Sequence, residues 1–168
     1  MKAVERVPIK TFEDLECWKQ CRSLRLFVAT KFVPNLPKEE RYRLGDQLLR
    51  AARSTTANIA EGYGRFHFLD NAKFCSNARG SCWEVLDHLI TGSDEGFISS
   101  EMLDRGRSLV DQAVKLLNGY LNYLKRASAV KSVPDRPITD NAAQSGAAGP
   151  VARMIDGRCR ATSVLAGV

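Results

Sequence analysis

LGDQLLRAARSTTANIAEGYGR, residues 44–65, decides the fold. Leu44, Leu48, Ala51, Thr55 and Ile59 recur at spacings of four, three, four and four, which lays them on one face of an α-helix. Ala51, Ala52, Ser54, Thr55, Thr56, Ala57 and Ala60 keep the same segment narrow. Short side chains let a neighbouring backbone approach closely, so this stretch reads as the tightly packed central helix of a bundle. Gly62-Tyr63-Gly64 supplies the stop, with a left-handed glycine cap expected there. It is not a phosphate loop, because no strand precedes it and no third glycine follows.

Working outward, Thr11 and Asp14 predict an N-cap, and Cys17, Cys21, Leu24, Val28 and Phe32 predict a first helix over 12–32. Pro34 and Pro37 break the chain. Pro37 suits a first helical position, with Glu39 and Glu40 in the first turn, so the second helix is expected over 38–62. Phe74, Ala78, Cys82, Val85 and Leu89 give a third helix opening near 67–70. Gly80 falls inside it and predicts close helix contact, while Gly96 reads as its C-terminal cap. Ser99 or Ser100 caps a fourth helix carrying Leu103, Val110, Ala113, Leu117, Leu121 and Leu124, with Lys125 and Arg126 at its negative end. Short links between four such helices predict an all-α, antiparallel up-down-up-down four-helix bundle over 11–126. Residues 1–10 read as a flexible arm. Residues 127–168, rich in Ala, Gly, Ser, Pro and Val without a sustained period, read as a disordered tail.

The 168 residues suffice for one domain with a true core. No apolar run approaches the ~20 residues of a membrane span, and the N-terminus lacks the apolar centre of a signal peptide, so a cytoplasmic location without membrane contact is expected. Twenty-five basic and nineteen acidic side chains give a net charge of +6, compatible with nucleic-acid contact. Five cysteines, an odd number, argue against a disulfide framework. Cys17 and Cys21, and Cys75 and Cys82, sit at helical spacing. They read as small hydrophobes at helix interfaces or, less simply, as a thiolate metal site for which no CxxC pair speaks.

Catalysis finds little support. A di-iron bundle needs Glu-x-x-His on two helices, whereas His88 follows Glu84 by four and His67 lies far away. No nucleophile and orienting acid accompany His88, so no catalytic, cofactor or metal residue is assigned. Asn58, Glu61, Ser81 and Glu84 form the most prominent polar group. They are expected to be a structural network setting helix register, with a ligand site at the bundle end as the alternative. The candidate nucleic-acid contacts are Lys19, Arg22, Arg25, Arg43, Arg50, Arg53, Arg65 and Arg79. Asp46 stands four before Arg50 and can pair with it, and such mixed stripes also suit a plain solvated face. Aromatic residues near these positions are few, so binding should address backbone and shape more than sequence.

Residues 47–65, QLLRAARSTTANIAEGYGR, with 78–90, ARGSCWEVLDHLI, and the opening FEDLECWK at 12–19, carry a family resemblance. The chain resembles the four-helix-bundle proteins encoded within intervening sequences of bacterial 23S ribosomal RNA genes. Ala57 to Gly62, with Gly80, Ser81 and Glu84, are the most specific part. Thr55-Thr56 and His67 depart from the family's usual residues, and the tail has no counterpart there. The same fold group includes the accessory variability determinant of diversity-generating retroelements, a partner of a reverse transcriptase. The resemblance implies a ring-like homopentamer, a non-enzymatic role, and RNA or a reverse transcriptase as a partner. A self-associating protein scaffold that does not bind nucleic acid is the alternative.

Overall fold

The computed structural model describes residues 9–65, 67–131, 153–155 and 158–160. Four helices carry the fold: α1 (Glu16–Phe27), α2 (Leu44–Tyr63), α3 (Phe68–Asp94) and α4 (Ser100–Lys131). α1 packs on α2 and α4, and α3 packs on the same two helices. The four therefore close into a ring around one core, and α2 is one wall of it rather than the centre. Phe32, Leu24, Leu36, Leu48, Ile59, Leu89, Leu117 and Leu124 are fully buried there. Each such side chain contributes about 1.5–3 kcal/mol by leaving water. Two three-residue strands, β1 (Arg153–Ile155) and β2 (Arg158–Arg160), pair antiparallel with Met154 opposite Cys159. They are the only strands among the described residues. Of the expected arm and tail, residues 1–8, 132–152, 156–157 and 161–168 lie outside the described residues. Ile9 already rests against the core, and α4 continues five residues past Arg126.

The chain enters through a capped turn. Thr11 Oγ1 accepts from the Glu13 N–H at 3.0 Å, and the Asp14 carboxylate accepts from the Lys10 and Thr11 N–H groups at 2.8 and 3.0 Å. These bonds hold the Asp14 carboxyl below its ordinary range. The expected first helix is interrupted at Leu15, which is extended (φ −68°, ψ 123°) and drops its side chain into the core. The predicted seam of Cys17, Cys21, Leu24, Val28 and Phe32 is buried throughout. Val28–Phe32 widens into a π turn and Val33–Asn35 tightens into a 3-10 turn. Pro34 explains the change, since it has no N–H to continue the α pattern.

The second helix begins at Leu44 instead of 38. Residues 38–43 form successive turns, and the Glu40 carbonyl accepts from both the Arg43 and Gly45 N–H groups at 3.2 and 2.8 Å. Arg41 fastens this link, donating from Nε to the Leu36 carbonyl at 3.0 Å and from Nη2 to the Pro34 carbonyl at 2.8 Å. A Cβ at Gly45 would lie 3.3 Å from the Glu40 carbonyl oxygen, so the link folds directly over the helix start.

The glycines differ from expectation in an instructive way. Gly64 is right-handed (φ −72°), so α2 has no left-handed cap. Gly62 serves close approach instead: a Cβ there would meet Asn71 Oδ1 at 2.8 Å and Phe74 Cβ at 2.9 Å. Gly80, expected at a helix contact, has nothing within 4 Å. Gly92 and Gly106 take that role, facing Phe32 Cζ at 2.8 Å and Leu89 Cδ1 at 2.6 Å. Gly96 follows α3 with φ +73°, as a C-terminal stop requires. Ser99 Oγ accepts from the Met102 N–H at 3.3 Å, as expected for the α4 cap.

Candidate functional site

Cations reach the surface at two seams of the ring. On the first, α1 and α2 meet through Arg25, whose Nη1 donates to Thr56 Oγ1 at 3.1 Å. Thr56 in turn donates to the Arg53 carbonyl at 3.2 Å. Arg22 lies one turn before Arg25, and Arg53 one turn before Thr56. Both are exposed and neither forms a salt bridge among the described residues.

The second seam is a groove of about 600 Å³ between α3 and α4. Lys73 and Arg79 enter it from α3 and Lys125 from α4, accompanied by Ser76, Asn118 and Asn122. Leu69, Ala72 and Leu121 supply its apolar part. Arg79 Nη1 donates to Asn118 Oδ1 at 3.0 Å, which fixes the guanidinium across the groove. Lys73 Nζ lies 3.2 Å from Asp70 on its own helix.

The remaining candidate cations are partnered on their own chain segments. Lys19 pairs with Glu16 at 2.7 Å, Arg43 with Glu40 at 3.4 Å and Arg50 with Asp46 at 3.2 Å. Arg65 pairs with Glu61 and stacks 4.7 Å from the Phe74 ring centroid. Exposed pairs of this kind contribute about 0–1 kcal/mol each, and they offset positive charge. The eight candidates thus do not form one face. Arg22, Arg25 and Arg53 share the α1–α2 seam, Arg79 stands alone in the α3–α4 groove, and the other four lie dispersed.

The expected polar network is half present. Asn58 Nδ2 donates to the Ser54 carbonyl and to Ser54 Oγ, both at 2.9 Å, and Ser54 Oγ shares a 2.9 Å hydrogen bond with Ser81 Oγ. Glu61 and Glu84 do not join it. Both are exposed, Glu61 on Arg65 and Glu84 at 4.0 Å from His88 Nε2. Their charge explains this, because a carboxylate near an apolar seam keeps its hydration by turning outward.

A second polar contact escaped the sequence reading. Asn71 Nδ2 donates to the Tyr120 hydroxyl at 3.1 Å, and Asn71 Oδ1 accepts from Cys75 Sγ at 3.3 Å. Asn71 sits four before Cys75 in the α3 seam, so extending that seam one turn back would have found it.

Cys17, Cys21, Cys75 and Cys82 are buried free thiols. Cys21 and Cys82 face each other with sulfurs 4.0 Å apart. Burial pushes Cys75 up to about 12 and raises Cys17 well above its ordinary value. Cys82 is raised first by its hydrogen bond with Cys21 and then by burial. Cys17, Cys75 and Cys82 are thereby held as thiols at neutral pH, whereas metal ligation needs thiolate. Among the described residues, no three His, Cys, Asp or Glu side chains are arranged to hold a metal ion. No described helix is long and apolar enough to cross a membrane.

A sequence model of the 23S rRNA-intervening sequence protein family matches residues 13–119, well over half of the chain. None of the curated proteins compared with this chain matches it.

Proposed function

This chain belongs to the 23S rRNA-intervening sequence protein family, and from that premise we propose that it is a non-enzymatic, cytoplasmic RNA-binding protein. Its scaffold is an antiparallel up-down-up-down four-helix bundle. Contacts that run in opposite chain directions support this topology: Gly62 with Asn71 and Gly92 with Leu44 between α2 and α3, then Tyr120 with Asn71 and Gly106 with Leu89 between α3 and α4.

The observation that carries the RNA reading is the α1–α2 seam. Arg25 bridges the two helices there, exposed Arg22 and Arg53 stand one turn from the two ends of that bridge, and none of the three forms a salt bridge among the described residues. Phosphate oxygens are the natural acceptors for such a row, and each neutralised phosphate releases counterions and steepens the salt dependence. The test is fluorescence anisotropy of a labelled stem-loop RNA across a salt series. Binding should weaken steeply with salt, and Arg22→Gln with Arg53→Gln should flatten the log–log slope by about one per arginine. Absent or salt-independent binding of the wild-type protein would remove the proposal.

A second reading, a self-associating scaffold, is favoured by Trp83, an indole 48% exposed on α3. Large aromatic side chains at that exposure are typical anchors of subunit contacts. Sedimentation of the wild-type protein beside Trp83→Ala tests it: a monomer for both at micromolar concentration refutes it.

A further inference from the structure

We propose that the α3–α4 groove is a second seat for the RNA phosphodiester backbone, separate from the α1–α2 arginines. It rests on the reading that the chain binds RNA. The ring order places the groove on the side away from that seam, since α1 and α2 form one contact and α3 and α4 another.

Charge is the first argument. Lys73, Arg79 and Lys125 converge on about 600 Å³, and no carboxylate lines it. Asp70, which is not a lining residue, pairs with Lys73 and offsets one of the three positive charges. Positioning is the second. Arg79 uses one N–H on Asn118 and is thereby held in place, while a guanidinium has five N–H donors. The remaining fork matches the geometry of a phosphate. The polar lining is the third. Ser76 and Asn122 form no side-chain hydrogen bond among the described residues, so a hydroxyl and an amide stand ready beside the cations. Together they can donate to and accept from a ribose 2′-hydroxyl, which selects RNA over DNA. No aromatic side chain lines the groove, so bases have nothing to stack on and recognition is of the backbone.

The experiment compares wild type, Lys73→Gln with Lys125→Gln, and the charge-keeping Lys73→Arg with Lys125→Arg, using a labelled stem-loop RNA in anisotropy titrations. Both lysines are exposed, and circular dichroism of each variant verifies the fold. A site with 6–10 phosphate contacts loses about 10³–10⁵ in affinity between 50 and 200 mM salt, or half a decade per contact. Removing two contacts should therefore shrink that loss about tenfold and weaken binding at low salt, while the arginine pair should match wild type. Wild-type affinity and slope in the glutamine variant would overturn the groove and leave RNA binding at the other seam standing. No binding by wild type would overturn both.

Discussion

Alanine at Gly62 and alanine at Gly80 should change stability in opposite directions. Both are helical, and in neither does backbone φ demand glycine. On propensity alone, Gly→Ala stabilises a helix interior by about 1 kcal/mol, and by less at Gly62, the penultimate residue of α2. At Gly62 the new methyl would stand 2.8 Å from Asn71 Oδ1, 2.9 Å from Phe74 Cβ and 3.1 Å from the Asn71 carbonyl oxygen. The last two atoms are tied to the α3 backbone and cannot swing aside. The first is held by Cys75 one turn on and, through its amide, by Tyr120 on α4.

Relief thus requires α2 and α3 to separate, and overpacking of this kind costs about 1–3 kcal/mol. Disturbing the Asn71–Tyr120 hydrogen bond adds about 1 kcal/mol, which roughly cancels the propensity gain. Gly62→Ala should therefore lose about 1–3 kcal/mol, a fall in Tm of about 2–12 °C for a chain of this size. Gly80 has nothing within 4 Å, so Gly80→Ala should gain about 1 kcal/mol and raise Tm by about 2–4 °C. Thermal melts followed by circular dichroism, with urea titrations for the free energies, decide it. A Tm for Gly62→Ala at or above wild type, or a lower Tm for Gly80→Ala, would refute the reasoning.

Stability should also decline in alkali. Cys17, Cys75 and Cys82 carry folded-state values raised above the ordinary 9.0. Their contribution is complete below about pH 9 and is lost as the pH rises towards the folded values, because the unfolded thiols ionise first. Cys75 alone accounts for up to about 1.4 kcal/mol per pH unit between 9 and 12. Equal urea midpoints at pH 8 and pH 10 would contradict this. Arg41→Ala should loosen the link before α2 by removing two bonds to backbone carbonyls, costing about 1–2 kcal/mol, measurable in the same titrations and as faster hydrogen exchange at Gly45. Asn71→Ala should cost about 1–3 kcal/mol, since it strands the Tyr120 hydroxyl in a buried site, and an unchanged urea midpoint would argue against that hydrogen bond.

The helices were legible because their apolar residues repeat at helical spacing, and the seams read from that spacing are buried except at Phe74 and Leu103, which are half-buried. Their starts were less so. Pro37, Glu39 and Glu40 make a plausible first turn, yet the chain there obeys Gly45 and Arg41, which act on residues five to seven positions away. The glycine roles were exchanged for a related reason. Local sequence says that a glycine is present, and only the opposite helix says whether it stops a turn or admits a neighbour. At the surface, partners at helical spacing could be read directly, as with Asp46 and Arg50. The α3–α4 groove could not, because Lys73 and Lys125 lie on different helices, far apart in sequence. Its trace is the polar run Asn118, Asn122 and Lys125 along one flank of α4.

Apolar seams alone fix helix pairing poorly, since one leucine row slides over another at small cost. Here each consecutive pair of helices carries a polar pin: Arg25 on Thr56, Ser54 on Ser81, and Asn71 on Tyr120 with Arg79 on Asn118. At the closing α1–α4 contact the Phe27 ring lies 3.4 Å from where a Cβ on Gly106 would stand, and the Arg105 guanidinium sits 5.8 Å from the ring centroid. No buried side-chain nitrogen or oxygen among the described residues is left without a partner, so these pins set register without an unmet desolvation cost. Two of them are arginines, and those two mark the seams proposed to meet RNA. An arginine already held by a neighbouring helix loses less side-chain freedom when a phosphate arrives than a free one. The same hydrogen bonds that choose which helices pair thereby also aim the positive charge.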